Sequence, residues 1–264
     1  MKRTQLYYLF FIIFILSSSY LFTRHKSFSE YEVLRVVDGD TVVLNDESKS
    51  YLRYIGINTP EILTYDSPGD PFSSQAKKLN ENLLSGKKIT LEFDKERYDQ
   101  YGRMLAYVFA DGIFVNEQIV RNGLATSLHI KPNVKYLEKI LKAEQEAKNH
   151  RRGIWSDKAN FVSPKENKEF FIKPHQAGRY IGQRVVTAGK ITSFRKSEKV
   201  IVLKMDDDFD VVIFRNSWAN FNFFGIEPQS DYVGFPVEVI GRVKIYKGKP
   251  QIIVNHPITL KKLL

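Results

Sequence analysis

The chain has 264 residues, 43% of them hydrophobic, and no cysteine. It can therefore bury one large core or two smaller ones, while disulfides, Cys-ligated zinc and thiol catalysis are excluded. Forty Lys and Arg against 30 Asp and Glu leave a formal charge of +10, which favours polyanionic partners such as nucleic acid or anionic lipid.

Lys2 and Arg3 precede an uncharged stretch, residues 6–22, rich in Phe, Ile, Leu and Tyr. A basic leader followed by an apolar run predicts an export segment over residues 1–26, forming an N-terminal hydrophobic helix. Its length lies at the lower end of the roughly 17 to 25 residues that a spanning helix needs. No Ala-x-Ala site follows, and Arg24, His25 and Lys26 suit an interfacial anchor, so a cleaved signal peptide and a retained membrane anchor both fit. Either places the remainder outside the cytoplasm, secreted or membrane-anchored.

From Tyr31 onward Val33, Val36, Val42, Leu44, Leu52 and Ile55 fall in three short runs broken by Asp-Gly and by Asn45-Asp46-Glu47-Ser48, which predicts strands of a meander. Residues 72–85 carry Ala76, Leu79 and Leu83 at helical spacing, begin beside Ser73-Ser74 and stop at Gly86, as an amphipathic helix does. Strands are expected at 89–93 and 104–110, the second turning at Asp111-Gly112, and then a short helix near 116–122 that ends at Gly123. Val134, Leu137, Leu141 and Ala147 mark a last helix whose opposite face, Lys and Glu, is expected to be solvated. Gly153-Ile154-Trp155 closes this unit.

A polar run follows, so the expected domains are 31–157 and 179–264, joined by a linker over 158–178. The second domain shows strand-like runs at 183–191, 200–205, 210–214, 236–245 and 250–254, with a less regular stretch, 217–232, before the fourth. Five strands with such an insertion suggest a small barrel. The predicted class is α+β, and no internal repeat is visible between the halves.

Hydrolysis of a phosphodiester requires neutralising a five-coordinate, dianionic transition state and activating a water opposite the leaving oxygen. Without Cys this points to hard-metal chemistry, for which Asp38, Asp40, Asn58 and Glu61 offer oxygen ligands. The five histidines show no H-E-x-x-H spacing, and neither G-x-S-x-G nor G-x-x-x-x-G-K occurs. Three local motifs remain: Val37-Asp38-Gly39-Asp40-Thr41, then Arg53-Tyr54-Ile55-Gly56-Ile57-Asn58-Thr59-Pro60-Glu61, then Asp99-Gln100-Tyr101-Gly102-Arg103. Taken singly, a D-G-D turn is most often a plain hairpin and a T-P-E a helix or turn start.

In this order, within strands followed by a helix, the three motifs closely resemble the staphylococcal nuclease-like (thermonuclease) family. The resemblance runs over residues 31–157 and includes Phe93-Asp94, Leu105-Ala106-Tyr107, Val115-Asn116-Glu117 and Ile154-Trp155-Ser156. It implies a five-stranded OB-type β-barrel with packed helices, and hydrolysis of single-stranded or melted DNA and RNA with one Ca2+. It further implies Asp40 as a calcium ligand, with the backbone carbonyl of Thr59 as another. Asn58 stands where the family usually has a second Asp, so one negative charge is lost from the metal seat. Glu61 is implied as general base or water-positioning group, and Arg53 and Arg103 as phosphate ligands through their planar forks. Tyr101 either contacts a neighbouring phosphate or packs on the barrel. Gln100, Leu128 and Ile130 replace the family's Lys and two tyrosines, so base stacking is expected to be weaker or differently supplied.

Residues 180–264 resemble an OB-fold nucleic-acid-binding domain through Gly189-Lys190-Ile191, Gly241-Arg242-Val243 and the run from Tyr246-Lys247-Gly248-Lys249-Pro250 to Val254. Arg242 and Lys249, beside Phe194 and Tyr246, are then candidate contacts for a strand. Alternatively Phe194, Tyr246 and Phe214 pack the barrel and the lysines only solvate strands. Phe221, Phe223 and Phe224 are expected to plug a core.

Three functions compete. A nuclease is favoured because Asp40, Arg53, Glu61 and Arg103 are all present. A non-catalytic nucleic-acid-binding scaffold is favoured only by Asn58. A surface protein holding anionic polymers by net charge would bind without forming product. No protein partner is evident.

Overall fold

Alternating apolar residues drive the first half into strands. A computed structural model of the chain describes residues 29–156, 168–206 and 209–263. The hydrophobic segment expected to be helical over 1–26 lies outside the described residues. Among those described, no helix is long and apolar enough to cross a membrane.

The first half contains β1 (Glu30–Tyr31), β2 (Val33–Val36), β3 (Thr41–Leu44), β4 (Tyr51–Tyr54), β5 (Ile57–Asn58), α1 (Ser73–Leu84), β6 (Ile89–Glu92), β7 (Met104–Ala110), β8 (Ile113–Phe114), α2 (Val115–Arg121), β9 (Thr126–Ser127) and α3 (Leu137–Asn149). Five of the strands lie in the order β6–β7–β4–β3–β2. β4 and β7 run parallel, and their neighbours are antiparallel. Val42, Leu44, Leu52, Tyr54, Val108, Ile119 and Ile140 meet in one core beneath the helices. Asn116 ties α2 to this core, its side chain accepting from Val108 N–H at 3.0 Å and donating to Ile55 O at 2.8 Å.

The buried face of α3 differs from the expected one. Ile140, Ala143, Glu144 and Ala147 are buried, whereas Val134 and Leu141 are 36% and 44% exposed. Small alanines let α3 approach α2 closely, which turns Leu141 outward. Glu144, expected on a solvated face, is buried instead. Its Oε1 accepts from Ser127 N–H at 2.8 Å and its Oε2 meets Lys148 at 3.2 Å, so the charge is compensated where it lies.

The second half contains β10 (Phe171–Ile172), β11 (Arg184–Lys196), β12 (Val200–Met205), β13 (Phe209–Phe214), α4 (Trp218–Phe223), α5 (Pro228–Asp231), β14 (Pro236–Tyr246), β15 (Lys249–Ile253) and β16 (Leu260–Lys262). β11 pairs β12, β12 pairs β13, β13 pairs β15, β15 pairs β14, and β14 returns to β11. These five strands close on themselves and leave no open edge. Counted along the chain, the ring runs first, second, third, fifth, fourth, with third and fifth parallel. The first half has the same order, with β4 and β7 as its parallel pair.

Part of the stretch expected as a linker is described and folded. Ile172, buried, carries β10 into a parallel pairing with β11, and Pro174–Tyr180 forms a 3-10 turn. Residues 157–167 lie outside the described residues.

Residues 31–264 form one compact unit, and the two halves meet along a seam. Only Phe221 of the expected aromatic plug enters the second core. Phe223 and Phe224 pack instead on Trp155, with ring centroids 5.4 and 6.3 Å away, and Ile258 joins them. Phe194, Phe214 and Tyr246 are 44%, 41% and 60% exposed, so their rings lie outside the barrel core.

Candidate active site

The Asp-Gly-Asp turn enters β3 under tight constraint. Val37 N–H and Asp38 N–H both donate to Thr41 O, at 2.9 and 3.3 Å, which sets Asp40 at the head of the strand. A Cβ on Gly39 would lie 2.6 Å from Thr59 Cγ2 and 2.7 Å from Ala76 Cβ. Glycine there lets the loop carrying Thr59 close onto Asp40.

Asp40 is buried. Its Oδ2 accepts from Thr59 N–H at 2.7 Å and from Thr59 Oγ1 at 2.9 Å, and Thr41 Oγ1 donates to Oδ1 at 3.1 Å. The same Oδ1 meets the guanidinium of Arg53, which faces Thr41 across the β3–β4 pairing. Arg53 Nη2 also donates to Asn58 Oδ1 at 3.0 Å and Ile57 O at 3.2 Å. Burial lowers the Arg53 pKa to about 10; nearby Arg103 adds to this, while Asp38 and Glu61 oppose it. The group is therefore cationic at neutral pH. Burial raises the Asp38 carboxyl, against the pull of Arg53.

Arg103 is held by its own turn. Asp99 Oδ1 accepts from the backbone N–H groups of Tyr101 and Arg103, and Asp99 Oδ2 accepts from Arg103 Nε at 2.7 Å. Burial works against the Asp99 carboxylate, but the backbone and side-chain hydrogen bonds from Arg103 outweigh it and hold its pKa below the usual value. The charge that fixes Arg103 is thus present through the working pH range.

Glu61 is exposed, yet its backbone is gripped. Its N–H donates to Asp70 Oδ2 at 2.9 Å, and its carbonyl accepts from Asp70 N–H at 2.7 Å. Asp70 Oδ1 in turn accepts from Arg184 Nη2 at 2.6 Å, across the seam. Burial raises the Asp70 carboxyl, and Arg184 opposes the shift.

Two cavities flank these groups. One, about 440 Å³, holds Arg53 and Arg103 beside Tyr98, Leu105, Leu128 and Ile130. The other, about 460 Å³, lies in the seam and is bordered by Asn58, Glu61 and Arg242. Tyr101 lines both. It is 75% exposed, which disposes of a packing role for its ring. Lys249 is exposed on the β14–β15 hairpin opposite Tyr246 and lines neither cavity.

The structure therefore joins Asp40, Arg53, Asn58 and Thr59 by direct contact and sets Glu61, Tyr101 and Arg103 around them. Two cations in one water-accessible cavity, with a carboxylate lining the cavity beside it and close enough to act on Arg53, can bind an anionic phosphodiester and deprotonate a water next to it.

The sequence model described as "Staphylococcal nuclease homologue" matches residues 51–157. Thermonuclease of Staphylococcus hyicus is 38% identical over 128 residues, covering 48% of this chain and 76% of that protein. The chain belongs to the staphylococcal nuclease family. Endonuclease YncB of Bacillus subtilis (strain 168) is 41% identical over 132 residues, 49% of this chain and 62% of its own length. The SPbeta prophage-derived endonuclease YokF of the same strain is 43% identical over 125 residues, 46% of this chain and 42% of its own. As a staphylococcal nuclease homologue the chain is a nuclease, a hydrolase. The family match stops at residue 157, so the closed second barrel lies beyond it.

Three residues around this staphylococcal nuclease-type site escaped the motif reading. Asp99 stood inside a motif with no role attached. Asp70 carried only a turn signal, between Gly69 and Pro71. Arg184 lies 114 residues from Asp70, so no local spacing connects the two.

Proposed function

We propose that the chain is a calcium-dependent nuclease of single-stranded or melted DNA and RNA that works outside the cytoplasm, secreted or anchored through its N-terminal segment. The observation that carries this reading is that Arg53 and Arg103 line one cavity and Glu61 the one beside it, with Tyr101 common to both and with Asp40 and Asn58 in contact with Arg53.

Asp40, Asn58 and the Thr59 carbonyl would hold the ion. Their fit to a hard cation rests on the oxygens of Asp40 and Asn58, which already gather round the positive guanidinium of Arg53. Among the described residues no three His, Cys, Asp or Glu side chains cluster as a metal site, so an amide and a backbone oxygen must complete the set. When bound, the ion supplies charge neutralisation at the phosphate.

Arg53 and Arg103 receive the equatorial phosphate oxygens, Arg103 already aimed by Asp99. Glu61 takes a proton from the attacking water. Water adds to phosphorus opposite the 5′ oxygen, the P–O5′ bond breaks, the leaving 5′ oxygen takes a proton from solvent while Glu61 returns its own to solvent, and the products carry a 3′-phosphate and a 5′-hydroxyl. Leu105, Leu128 and Ile130 offer an apolar wall to the adjoining base. The closed ring of five strands supports an OB-type binding role for the second half, with Arg242 facing the groove and Lys249 and Tyr246 on the exposed hairpin.

Incubating the full chain with denatured DNA or RNA, with calcium or with chelator, tests the reading. Calcium-dependent fragments ending in 3′-phosphate are expected. Binding without product in both conditions would favour the scaffold instead.

A further inference from the structure

The cavity between the two halves has the size of a ligand site: about 460 Å³, within the usual range for bound molecules. One wall is Asn58, Glu61 and Tyr101. The facing wall is Arg242 and Lys244 from β14, with Asn255. Arg242 and Lys244 alternate with buried Val243, so both side chains leave the same face of the strand. The guanidinium of Arg242 touches Gly182 O, which uses one of its five donors.

Charge in this cleft is not balanced locally. Of the two acids lining it, Asp70 is matched by Arg184 at 2.6 Å, which leaves Glu61 facing both Arg242 and Lys244. His256 also borders the cleft, but its Nδ1 accepts from Ile258 N–H at 3.2 Å and its Nε2 is buried, so the donors that face the cleft are those of Arg242, Lys244 and Asn255. A wall rich in donors and cations suits phosphates and base edges.

The cleft also adjoins the cavity of the proposed catalytic arginines. Tyr101 lines it together with Glu61 and, on its other side, lines the cavity of Arg53 and Arg103. A polymer whose scissile phosphate rests between these arginines and Glu61 passes Tyr101 and enters the seam on that side. The seam itself is held by the Trp155 aromatic cluster and the Arg184–Asp70 pair, so the two walls are fixed before a strand arrives.

We infer that the seam between the two halves is a second strand-binding subsite, in which Arg242 and Lys244 hold the phosphates of a single-stranded polynucleotide beyond the scissile bond and Tyr101 stacks a base. This rests on the nuclease reading of the neighbouring site. It makes the second barrel part of the substrate groove, and it makes long strands better ligands than short ones.

The test measures binding in chelator, so that nothing is cut. Fluorescence anisotropy compares a long labelled oligothymidylate of about twelve nucleotides with a short one of about three, spanning the usual site size of such barrels. The full chain is compared with Arg242→Ala/Lys244→Ala and with Arg242→Lys/Lys244→Arg. The parent is expected to bind the long strand at least about tenfold more tightly. The alanine pair should narrow that ratio to below about threefold and flatten the salt slope for the long strand by about 1.4, two lost contacts at about 0.7 each. The charge-conserving pair should restore the ratio. An unchanged ratio and slope in the alanine pair, with an unchanged unfolding midpoint, would overturn the subsite. Adding calcium afterwards scores cleavage separately. Length-dependent binding without cleavage would sink the nuclease reading and leave the subsite standing, and cleavage with an unchanged ratio would do the reverse.

Discussion

Arg184 of the second barrel donates to Asp70 of the first at 2.6 Å, with both side chains largely buried. Asp70 uses its other oxygen and its own N–H to hold the backbone of Glu61. The barrel outside the family match thus supports the loop that carries the proposed base, and the coupling needs no motion to act.

Arg184→Met should leave the buried Asp70 carboxylate with the Glu61 N–H but without a countercharge. Breaking such a pair costs about 3 kcal/mol, and adding Asp70→Asn should recover most of that loss. With Glu61 less well placed, kcat should fall about tenfold while KM stays close to the parent's. Chemical denaturation and steady-state cleavage of denatured DNA check both parts. Arg184→Lys should recover part of the rate, and equal kcat in all three variants would detach the second barrel from catalysis.

Arg103→Ala removes a fork that Asp99 already aims. The expected loss in kcat is on the order of 100-fold, the usual cost of one transition-state donor. Asp99→Asn should lose less, because the side chain it orients is still present. A larger loss from Asp99→Asn than from Arg103→Ala would contradict this assignment.

Asn58→Asp should tighten calcium. The amide oxygen now accepts from Arg53, and a carboxylate there returns the missing charge. Calorimetric titration should give a Kd lower by about tenfold, equivalent to about 1.4 kcal/mol. An unchanged Kd would remove Asn58 from the metal seat.

His256 sets a pH limit on the seam. Burial, with Lys148 adding to it, lowers its pKa to about 3, and the ring packs 4.8 Å from Trp155. The unfolded chain takes up a proton near pH 6.5 that the folded chain refuses until about pH 3. This histidine is therefore without a pH-dependent effect above that window, and acidification through the window withdraws stability. The predicted slope approaches 1.4 kcal/mol per pH unit for this one group. Comparing unfolding free energies from pH 7 to pH 4 with those of His256→Phe isolates the contribution; parallel curves would contradict it.

Strand positions were legible wherever alternation met a turn signal. Residues 104–110 and 200–205 coincide with β7 and β12. The strand order shared by the two halves was implied only by the two OB resemblances, because alternation and turn signals locate strands without saying which edges pair. Asp40, Arg53 and Asn58 could be read from motifs confined to adjacent strands. Asp70 with Arg184, and Phe223 with Trp155, could not, since each pair joins distant segments through a seam that exists only after both halves fold. Leu141 misled because its spacing matched a helix stripe, while the alanines beside it decided the packed face.

The most direct measurement is calcium-started cleavage of denatured DNA by the full chain carrying Glu61→Gln, with binding of the same strand measured in chelator. The account predicts binding like that of the parent and a rate lower by at least about 100-fold, within the range for loss of a general base. Cleavage at the parental rate would contradict it.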